Sequence, residues 1–122
     1  MSDWRPRLIA SDMDGTLLRS DDTVSEATLA ELERWRADDV PVALATGLAI
    51  ALERYGVGFG DVLVFGDMPN DLPMIAAVAE AGGRAVAVAN AHPAVRAATP
   101  NVTSGHDADG VARYLEAVLG DV

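Results

Sequence analysis

Short apolar runs alternate with segments of helical periodicity along the chain, and this alternation predicts the fold class. Four strands are predicted, over residues 8–10, 40–45, 62–65 and 84–88. The run at 62–65 is continuous and apolar, which is typical of a strand covered on both faces. Helices are predicted from residue 26 onward and over residues 48–55, 72–81, 93–98 and 111–119. This order predicts an α/β fold, a Rossmann-like parallel sheet of about four strands with helices on both faces.

Caps and side-chain spacing add detail to two of these helices. Ser25 is a good N-cap for the first helix, in which Leu29, Leu32 and Trp35 are expected to share one core-facing side. Asp71 is expected to cap the helix at 72–81. Polar residues follow several strands directly, at the carboxyl ends where parallel sheets bind their ligands.

Length and composition predict one domain over residues 1–122, with a single hydrophobic core. Half of the residues are hydrophobic, so a disordered chain is excluded. The absence of cysteine excludes disulfides, thiolate nucleophiles and Cys-based zinc sites. No segment approaches the roughly 20 apolar residues of a membrane span, and the first ten residues contain no long apolar region. A cytoplasmic location is therefore expected.

The chain is strongly acidic, with a net charge of −10, and all nine of its basic residues are arginine. Such a surface disfavours nucleic acids and anionic membranes, because both are bound through basic patches. It also disfavours a phosphate substrate unless a divalent cation reverses the local field. The charge is thus a first indication of a metal, although a solvated acidic surface explains most of the carboxylates equally well.

The first motif with chemical content is Asp12-Met13-Asp14-Gly15-Thr16, directly after the first predicted strand. Two carboxylates two residues apart can reach one site if the chain turns at the glycine. One carboxylate can then attack phosphorus while the other transfers protons. A calcium-binding loop and a simple Asx turn are the alternatives, and the preceding strand argues against an EF-hand.

The second motif follows the strand at 62–65 and contains Asp67, Asn70 and Asp71. Asp67 is expected to complete a metal site with Asp12, since Mg²⁺ prefers carboxylate and carbonyl oxygens. Asn70 and Asp71 are expected to orient the ligands, while a plain helix cap is the alternative for both.

The third element is Thr46-Gly47, at the end of the second predicted strand. A hydroxyl followed by a free N–H at a helix N-terminus can hold a phosphate oxygen. A strand, turn and helix cap without a ligand is the simpler interpretation of these two residues alone.

Together these motifs resemble the haloacid dehalogenase superfamily of phosphohydrolases, and its sugar-phosphatase (Cof-like) branch in particular. The segments that carry the resemblance are D12-M-D-G-T-L-L, A45-T-G, G66-D-M-P-N-D-L-P-M, V88-A-N-A-H-P-A-V and D107-A-D-G-V-A. The resemblance covers the chain from about Leu8 to Leu119. It also implies that Asn90 lies at the edge of the site, where an ordinary loop asparagine is the alternative.

The resemblance implies a role for each site residue. Asp12 would be the nucleophile and Asp14 the general acid and base, while Thr46 would hold the phosphoryl group. Mg²⁺ would be bound by Asp12, the Asp14 carbonyl and Asp67, with Asp71 in support.

The chain departs from this branch of the family in two ways. The large cap domain that the branch inserts after its A-T-G segment is missing, and so is a lysine that precedes the next helix. The segment 44–49 resembles two family segments superimposed, with Leu44 where the lysine would stand. A cap, with one core strand, is therefore inferred to be excised, which leaves the first and third strands central. Leu44 is expected to be enclosed between sheet and helix, and Leu48 to be better placed for a substitute cation.

The function predicted from these features is Mg²⁺-dependent hydrolysis of a phosphomonoester through an aspartyl-phosphate. The expected partner is a small phosphate ester or a phosphorylated macromolecule, and a second copy of the chain could cover the open site. One alternative is a cap-less core that binds Mg²⁺ and phosphate without useful turnover. A phospho-accepting receiver module is another, although the paired Asp12 and Asp14 favour a hydrolase.

Overall fold

The chain folds around one parallel β-sheet. The computed structural model describes residues 4–120, apart from the side chains of Thr46 and of residues 118–120. The strands are β1 (Leu8–Ser11), β2 (Val42–Leu44), β3 (Val62–Gly66), β4 (Arg84–Val88) and β5 (Val102–Thr103). Their order across the sheet is β2-β1-β3-β4-β5, and every pair of neighbours is parallel. The α/β class predicted from the sequence is therefore confirmed.

The sheet has five strands in the described part of the chain, where the sequence predicts about four. The extra strand, β5, has only two residues, and Val102 is exposed at the edge of the sheet. A two-residue strand contains no periodicity that could identify it. The first and third strands are flanked on both sides, as the sequence predicts.

Helices cover both faces of the sheet. They are α1 (Glu26–Ala37), α2 (Leu48–Tyr55), α3 (Leu72–Glu80), α4 (Pro93–Ala98) and α5 (Gly110–Gly120). Helices α2, α3 and α4 share one hydrophobic cluster with the sheet, while α1 and α5 share the other. All five residues of β3 are buried between these clusters. None of the helices within residues 4–120 combines the length and the apolar character that a membrane crossing requires.

Of the details predicted for α1, the cap is confirmed and the core-facing side differs in the structure. Ser25 caps α1, and its hydroxyl accepts a hydrogen bond from the Thr28 N–H at 3.1 Å, as expected. Trp35 is buried, but Leu29 is 52% exposed, because the inward stripe of α1 runs through Thr28, Glu31 and Trp35 instead. The helix is thus rotated away from the face predicted on hydrophobicity alone.

The environments of Leu44 and Leu48 are the reverse of the expectation. Leu44 ends the edge strand β2 and is 50% exposed, since no further strand lies beyond β2 in the described part of the chain. Leu48 begins α2 and is only 5% exposed, because its side chain belongs to the cluster under α2, α3 and α4.

Candidate active site

The β1–β3 pair brings the first two motifs to the same edge of the sheet. Ser11 pairs with Phe65 in the parallel ladder, and the Asp12 N–H donates to the Phe65 carbonyl at 3.2 Å. Asp12 is therefore the first residue after the β1–β3 ladder ends, and its backbone is held by a hydrogen bond to the central strand β3. The burial of the apolar side chains along β1 and β3 stabilises this platform, by about 1.5–3 kcal/mol for each large one.

A tight turn over Met13–Leu17 follows Asp12. The Asp12 Oδ1 accepts a hydrogen bond from the Met13 N–H at 3.0 Å, and the Leu18 N–H donates to the Met13 carbonyl at 2.9 Å. Within the turn Gly15 has φ +74°, a conformation that glycine adopts without strain. The glycine expected from the sequence to permit the turn therefore does so.

A second turn, over Pro69–Asp71, follows β3 and fixes Asp71. The Asp71 Oδ2 accepts hydrogen bonds from the Asp67 N–H at 3.2 Å and the Met68 N–H at 3.3 Å. Both aspartates are buried, Asp67 being 7% and Asp71 5% exposed. Asp71 immediately precedes α3, and its carboxylate closes the turn rather than capping α3 by a side-chain hydrogen bond.

Three carboxylates converge between these two turns. Asp12, Asp67 and Asp71 each contribute one oxygen, and the three oxygens lie within 4.8 Å of one another. The Asp67 Oδ1 is buried and has no hydrogen-bond partner among the described residues. A buried carboxylate oxygen without a donor is costly unless a cation neutralises it. The donor set is entirely hard oxygen, so the residues fit a divalent cation such as Mg²⁺.

The electrostatics of the cluster support the same conclusion. Burial, a hydrogen bond with Asp67 and the Asp67 charge raise the pKa of Asp12. Burial also raises the pKa of Asp71, and the nearby Asp12 charge contributes in the same direction. Within the part of the chain whose side chains are described, no arginine forms an ion pair with these three aspartates. Without a cation the cluster therefore favours protonation of Asp12 and Asp71.

Two glycines allow the carboxylates to approach the backbone. A Cβ at Gly15 would collide with the Asp67 Oδ2, and one at Gly66 would lie 2.9 Å from the Asp71 Oδ2. Both glycines belong to the sequence motifs, and each leaves room for one carboxylate. Their role in the site is therefore steric as well as conformational.

The remaining residues predicted for the site lie around this cluster. Asp14 is exposed, one residue before Gly15, and its carboxylate stands outside the group of three close oxygens. Asn70 is exposed in the turn after β3. Gly47 precedes α2 after the turn over Ala45–Gly47, and the space where a Cβ would stand is open. The side chain of Thr46 lies outside the described residues.

Asn90 contacts the site through the backbone of the first turn. Its Nδ2 donates to the Gly15 carbonyl at 2.7 Å, and its Oδ1 accepts from the His106 N–H at 2.9 Å. The position of Asn90 at the edge of the site is predicted only from the family resemblance. A loop asparagine on its own does not indicate which backbone groups its side chain binds.

Comparison with known proteins identifies the family. The sequence model of the haloacid dehalogenase-like hydrolase family matches the chain in two pieces, residues 9–52 and 48–115. The chain belongs to the haloacid dehalogenase-like hydrolase family. The two pieces overlap at residues 48–52 in α2, and this overlap includes the end of the segment 44–49 that resembles two family segments superimposed.

Relatives of this chain include named phosphatases. It is 40% identical over 82 residues to a phosphoglycolate phosphatase of Methanothermobacter thermautotrophicus, an alignment that covers 67% of this chain and 35% of the relative. It is 51% identical over 41 residues to an HMP-PP phosphatase of Shigella flexneri, covering 34% of this chain and 15% of the relative. The chain therefore spans about a third or less of the length of these curated relatives.

Solved structures share the fold of this chain. A haloacid dehalogenase-like hydrolase from Bacteroides thetaiotaomicron superposes with a TM-score of 0.82 at 14% identity, covering 93% of this chain and 100% of that one. The cobalt-bound deoxy-D-mannose-octulosonate 8-phosphate phosphatase of Haemophilus influenzae gives 0.80 at 17% identity, covering 94% and 88%. At these identities the likeness concerns the fold alone.

Proposed function

We propose that this chain is a phosphomonoester phosphatase that works through a phosphorylated Asp12. The observation that carries the proposal is the convergence of Asp12, Asp67 and Asp71 at the carboxyl edge of the sheet in a chain of this family. The orphaned Asp67 oxygen supports a divalent cation at this point, and Mg²⁺ is the proposed ion. Asp12 and Asp67 would bind it with the Asp14 carbonyl, and Asp71 would support them or bind directly.

The bound cation would supply positive charge to offset the oxygens of the phosphoryl group. Thr46 and Gly47, at the end of the neighbouring strand β2, are proposed to donate hydrogen bonds to the same oxygens. Asn70 is proposed to help orient the metal ligands. These contacts would hold the phosphorus in line with a carboxylate oxygen of Asp12.

In the first step, an oxygen of Asp12 attacks phosphorus while the bond from phosphorus to the ester oxygen breaks. Asp14 gives its proton to the departing oxygen, so that an alcohol leaves. The exposure of Asp14 suits this role, because its carboxylate is accessible to a leaving group on the solvent side of the site.

In the second step, the Asp14 carboxylate takes a proton from water as the water oxygen attacks the phosphorus. The bond from phosphorus to Asp12 breaks, and phosphate and the free Asp12 carboxylate are the products. Asp14 ends protonated, ready for another leaving group.

The names of the relatives favour a catalyst over a scaffold that only binds Mg²⁺ and phosphate. The two-piece match of the family description supports the inference that a cap is missing between the pieces. The site would then be open to small phosphate esters or to a phosphorylated macromolecule, and a second copy could cover it. The substrate, the single-domain organisation and the cytoplasmic location stay predictions.

The test is Mg²⁺-dependent release of phosphate from p-nitrophenyl phosphate, with beryllofluoride as an inhibitor that mimics the aspartyl-phosphate. Asp12→Asn should fold normally and lose all turnover, because an amide does not attack phosphorus. Asp39→Asn is the matched control, since it removes the same charge at an exposed residue with φ +63° before β2. Residual turnover in Asp12→Asn would contradict the mechanism. Mg²⁺ binding without turnover in the wild type would identify a scaffold.

A further inference from the structure

Four residues outside the carboxylate cluster tie down the segment that carries Asp14. We call them the clamp: Ser20, Asn90, His106 and Asp107. They come from the segment after the first turn, from the loop between β4 and α4, and from the short turn over His106–Ala108. No residue of the clamp belongs to β1 or β3, the strands that position the cluster.

The first tie of the clamp is at Gly15. The Asn90 Nδ2 donates to the Gly15 carbonyl at 2.7 Å, while the Asn90 Oδ1 accepts from the His106 N–H at 2.9 Å. One side chain thus connects the Gly15–Thr16 peptide, one residue beyond Asp14, to the turn before α5. Because both bonds are to backbone groups, side-chain motion at other residues does not break them.

The second tie is at Ser20. The Asp107 Oδ1 accepts from the Ser20 N–H at 2.8 Å, and its Oδ2 accepts from the Ser20 hydroxyl. The His106 Nε2 lies 3.3 Å from the same hydroxyl. The hydroxyl and N–H of Ser20 hold the pKa of Asp107 below its usual range. Asp107 therefore accepts these hydrogen bonds as a carboxylate at neutral pH.

Asp14 itself has no comparable support. Its side chain is exposed, and no hydrogen bond or ion pair of its carboxylate is found among the described residues. The backbone that carries the carboxylate is extended at Asp14 (ψ 131°) and turns sharply at Gly15 (φ 74°). The only side chain hydrogen-bonded to this turn from another element, within the described residues, is that of Asn90.

We propose that Asn90 is a positioning residue for proton transfer: it fixes the Gly15 peptide and thereby aims Asp14 at the leaving-group oxygen. The inference rests on the proposed function of Asp14 and adds a residue that touches neither metal nor phosphate. General acid catalysis typically contributes about 10²–10⁴-fold, and a displacement of roughly 1 Å can remove most of it. The loss should depend on the leaving group, because only a poor one needs the proton.

The variant is Asn90→Ala, and Asn101→Ala is its matched control. The Asn101 Nδ2 also donates to a backbone carbonyl, that of Ala85 at 3.2 Å. Among the described residues, no hydrogen bond joins the Asn101 side chain to the segment from Asp14 to Ser20. Both variants thus lose the same kind of hydrogen bond. Asp14→Asn shows the full effect of losing the proton donor.

Two measurements test the proposal at saturating Mg²⁺. The first is kcat/KM for p-nitrophenyl phosphate, whose phenolate leaves unprotonated, and for glycerol phosphate, whose alkoxide does not. Asn90→Ala should lower kcat/KM for glycerol phosphate at least tenfold more than kcat/KM for p-nitrophenyl phosphate. Asp14→Asn should show the same difference between the two substrates, to a greater extent. The second is hydrogen exchange in residues 13–18, which should be at least tenfold faster in Asn90→Ala and unchanged in Asn101→Ala.

Unchanged exchange in Asn90→Ala would overturn the proposal whatever the kinetics. An equal loss for both substrates would also overturn it, provided that Asp14→Asn discriminates between them. If the wild type hydrolyses neither ester, the proposed function fails instead, and the exchange measurement alone decides whether Asn90 fixes the turn.

Discussion

Leu44→Lys is expected to accelerate phosphate release by returning a cation to the site. Leu44 pairs in register with Ser11, the residue before the proposed nucleophile Asp12. Neighbouring strands are about 4.8 Å apart, so a lysine side chain on β2 can reach a phosphate bound at Asp12. Leu44 is 50% exposed at the edge of the sheet, so the ammonium keeps much of its hydration.

The size of the gain follows from the value of one electrostatic contact in an active site. Removing one such contact typically costs about 10²–10³-fold in rate, so returning one in imperfect geometry should give at least about tenfold in kcat. The cost in stability is small, because half of the leucine surface is already in water. We expect the free energy of unfolding to fall by no more than about 1 kcal/mol.

Leu48→Lys is the matched comparison, with the same substitution four residues later. Leu48 is 5% exposed in the core, so the variant loses about 1.5–3 kcal/mol of hydrophobic burial. Desolvation of the ammonium raises the total to about 4 kcal/mol or more. At about 4 °C per kcal/mol for a chain of this size, Tm should fall by roughly 15 °C.

The assay compares kcat for p-nitrophenyl phosphate and Tm for the two variants and the wild type. The sequence alone favours the opposite ranking, with Leu48 as the better position, so the experiment separates the two interpretations. The structural reasoning is refuted if Leu48→Lys folds as well as Leu44→Lys, or if Leu44→Lys folds normally and is no faster. Turnover of tens per second in the wild type would mean that an arginine already supplies the charge.

Three further predictions concern the metal cluster and the open site. In metal-free protein, the free energy of unfolding should fall as the pH rises above the ordinary aspartate pKa of 3.8, because the raised pKa values of Asp12 and Asp71 favour the protonated folded state. Asp12→Asn should make the free energy of unfolding less dependent on pH in thermal unfolding with EDTA. An unchanged pH dependence in this variant would contradict the prediction. Gly15→Ala should abolish Mg²⁺ binding in calorimetry, because the added Cβ displaces the Asp67 carboxylate. Gly56→Ala is the control and should bind Mg²⁺ normally, since Gly56 has φ +65° and open space around the Cβ. Equal Mg²⁺ affinities of the two variants would refute the contact between Gly15 and Asp67. A kinetic screen of small phosphomonoesters should show poor selectivity, because the proposed loss of the cap removes the contacts that would enclose the leaving group. A preference of roughly a thousandfold for one ester would be the contrary result.

Most of the fold could be predicted from the sequence because its strands are short, apolar and separated by clear helical segments. The strand at 84–88 and the helices at 48–55 and 93–98 have the predicted bounds. β5 could not be found, since two residues carry no period. The reversal of Leu44 and Leu48 has a related cause. The strand pattern alone suggests that Leu44 is enclosed, but Leu44 is the last residue of the edge strand β2 and no neighbouring strand covers it in the described part of the chain. Leu48 begins a helix whose inward side the sequence does not specify, and it packs into the core.

The sequence predicts which residues form the candidate site better than it predicts how their side chains are arranged. The spacing of Asp12, Asp14 and Asp67 after two strands indicated a shared edge, and parallel pairing of β1 with β3 places Asp12 and Asp67 together. Asp71 was expected to stand behind the ligands, yet its carboxylate joins the cluster because the turn after β3 folds back on itself. Such turns depend on hydrogen bonds to individual backbone groups, which a sequence does not specify.

The placement of the cluster between β1 and β3 has a consequence for the order in which the chain folds. These strands are adjacent in space, but α1, β2 and α2 separate them along the chain. A cation can therefore bind tightly only to states in which this long-range pairing has already formed. If pairing precedes the folding transition state, Mg²⁺ will accelerate folding; if it follows, Mg²⁺ will only slow unfolding. The effect of Mg²⁺ on the folding and unfolding rates would therefore show whether β1 pairs with β3 before or after the folding transition state.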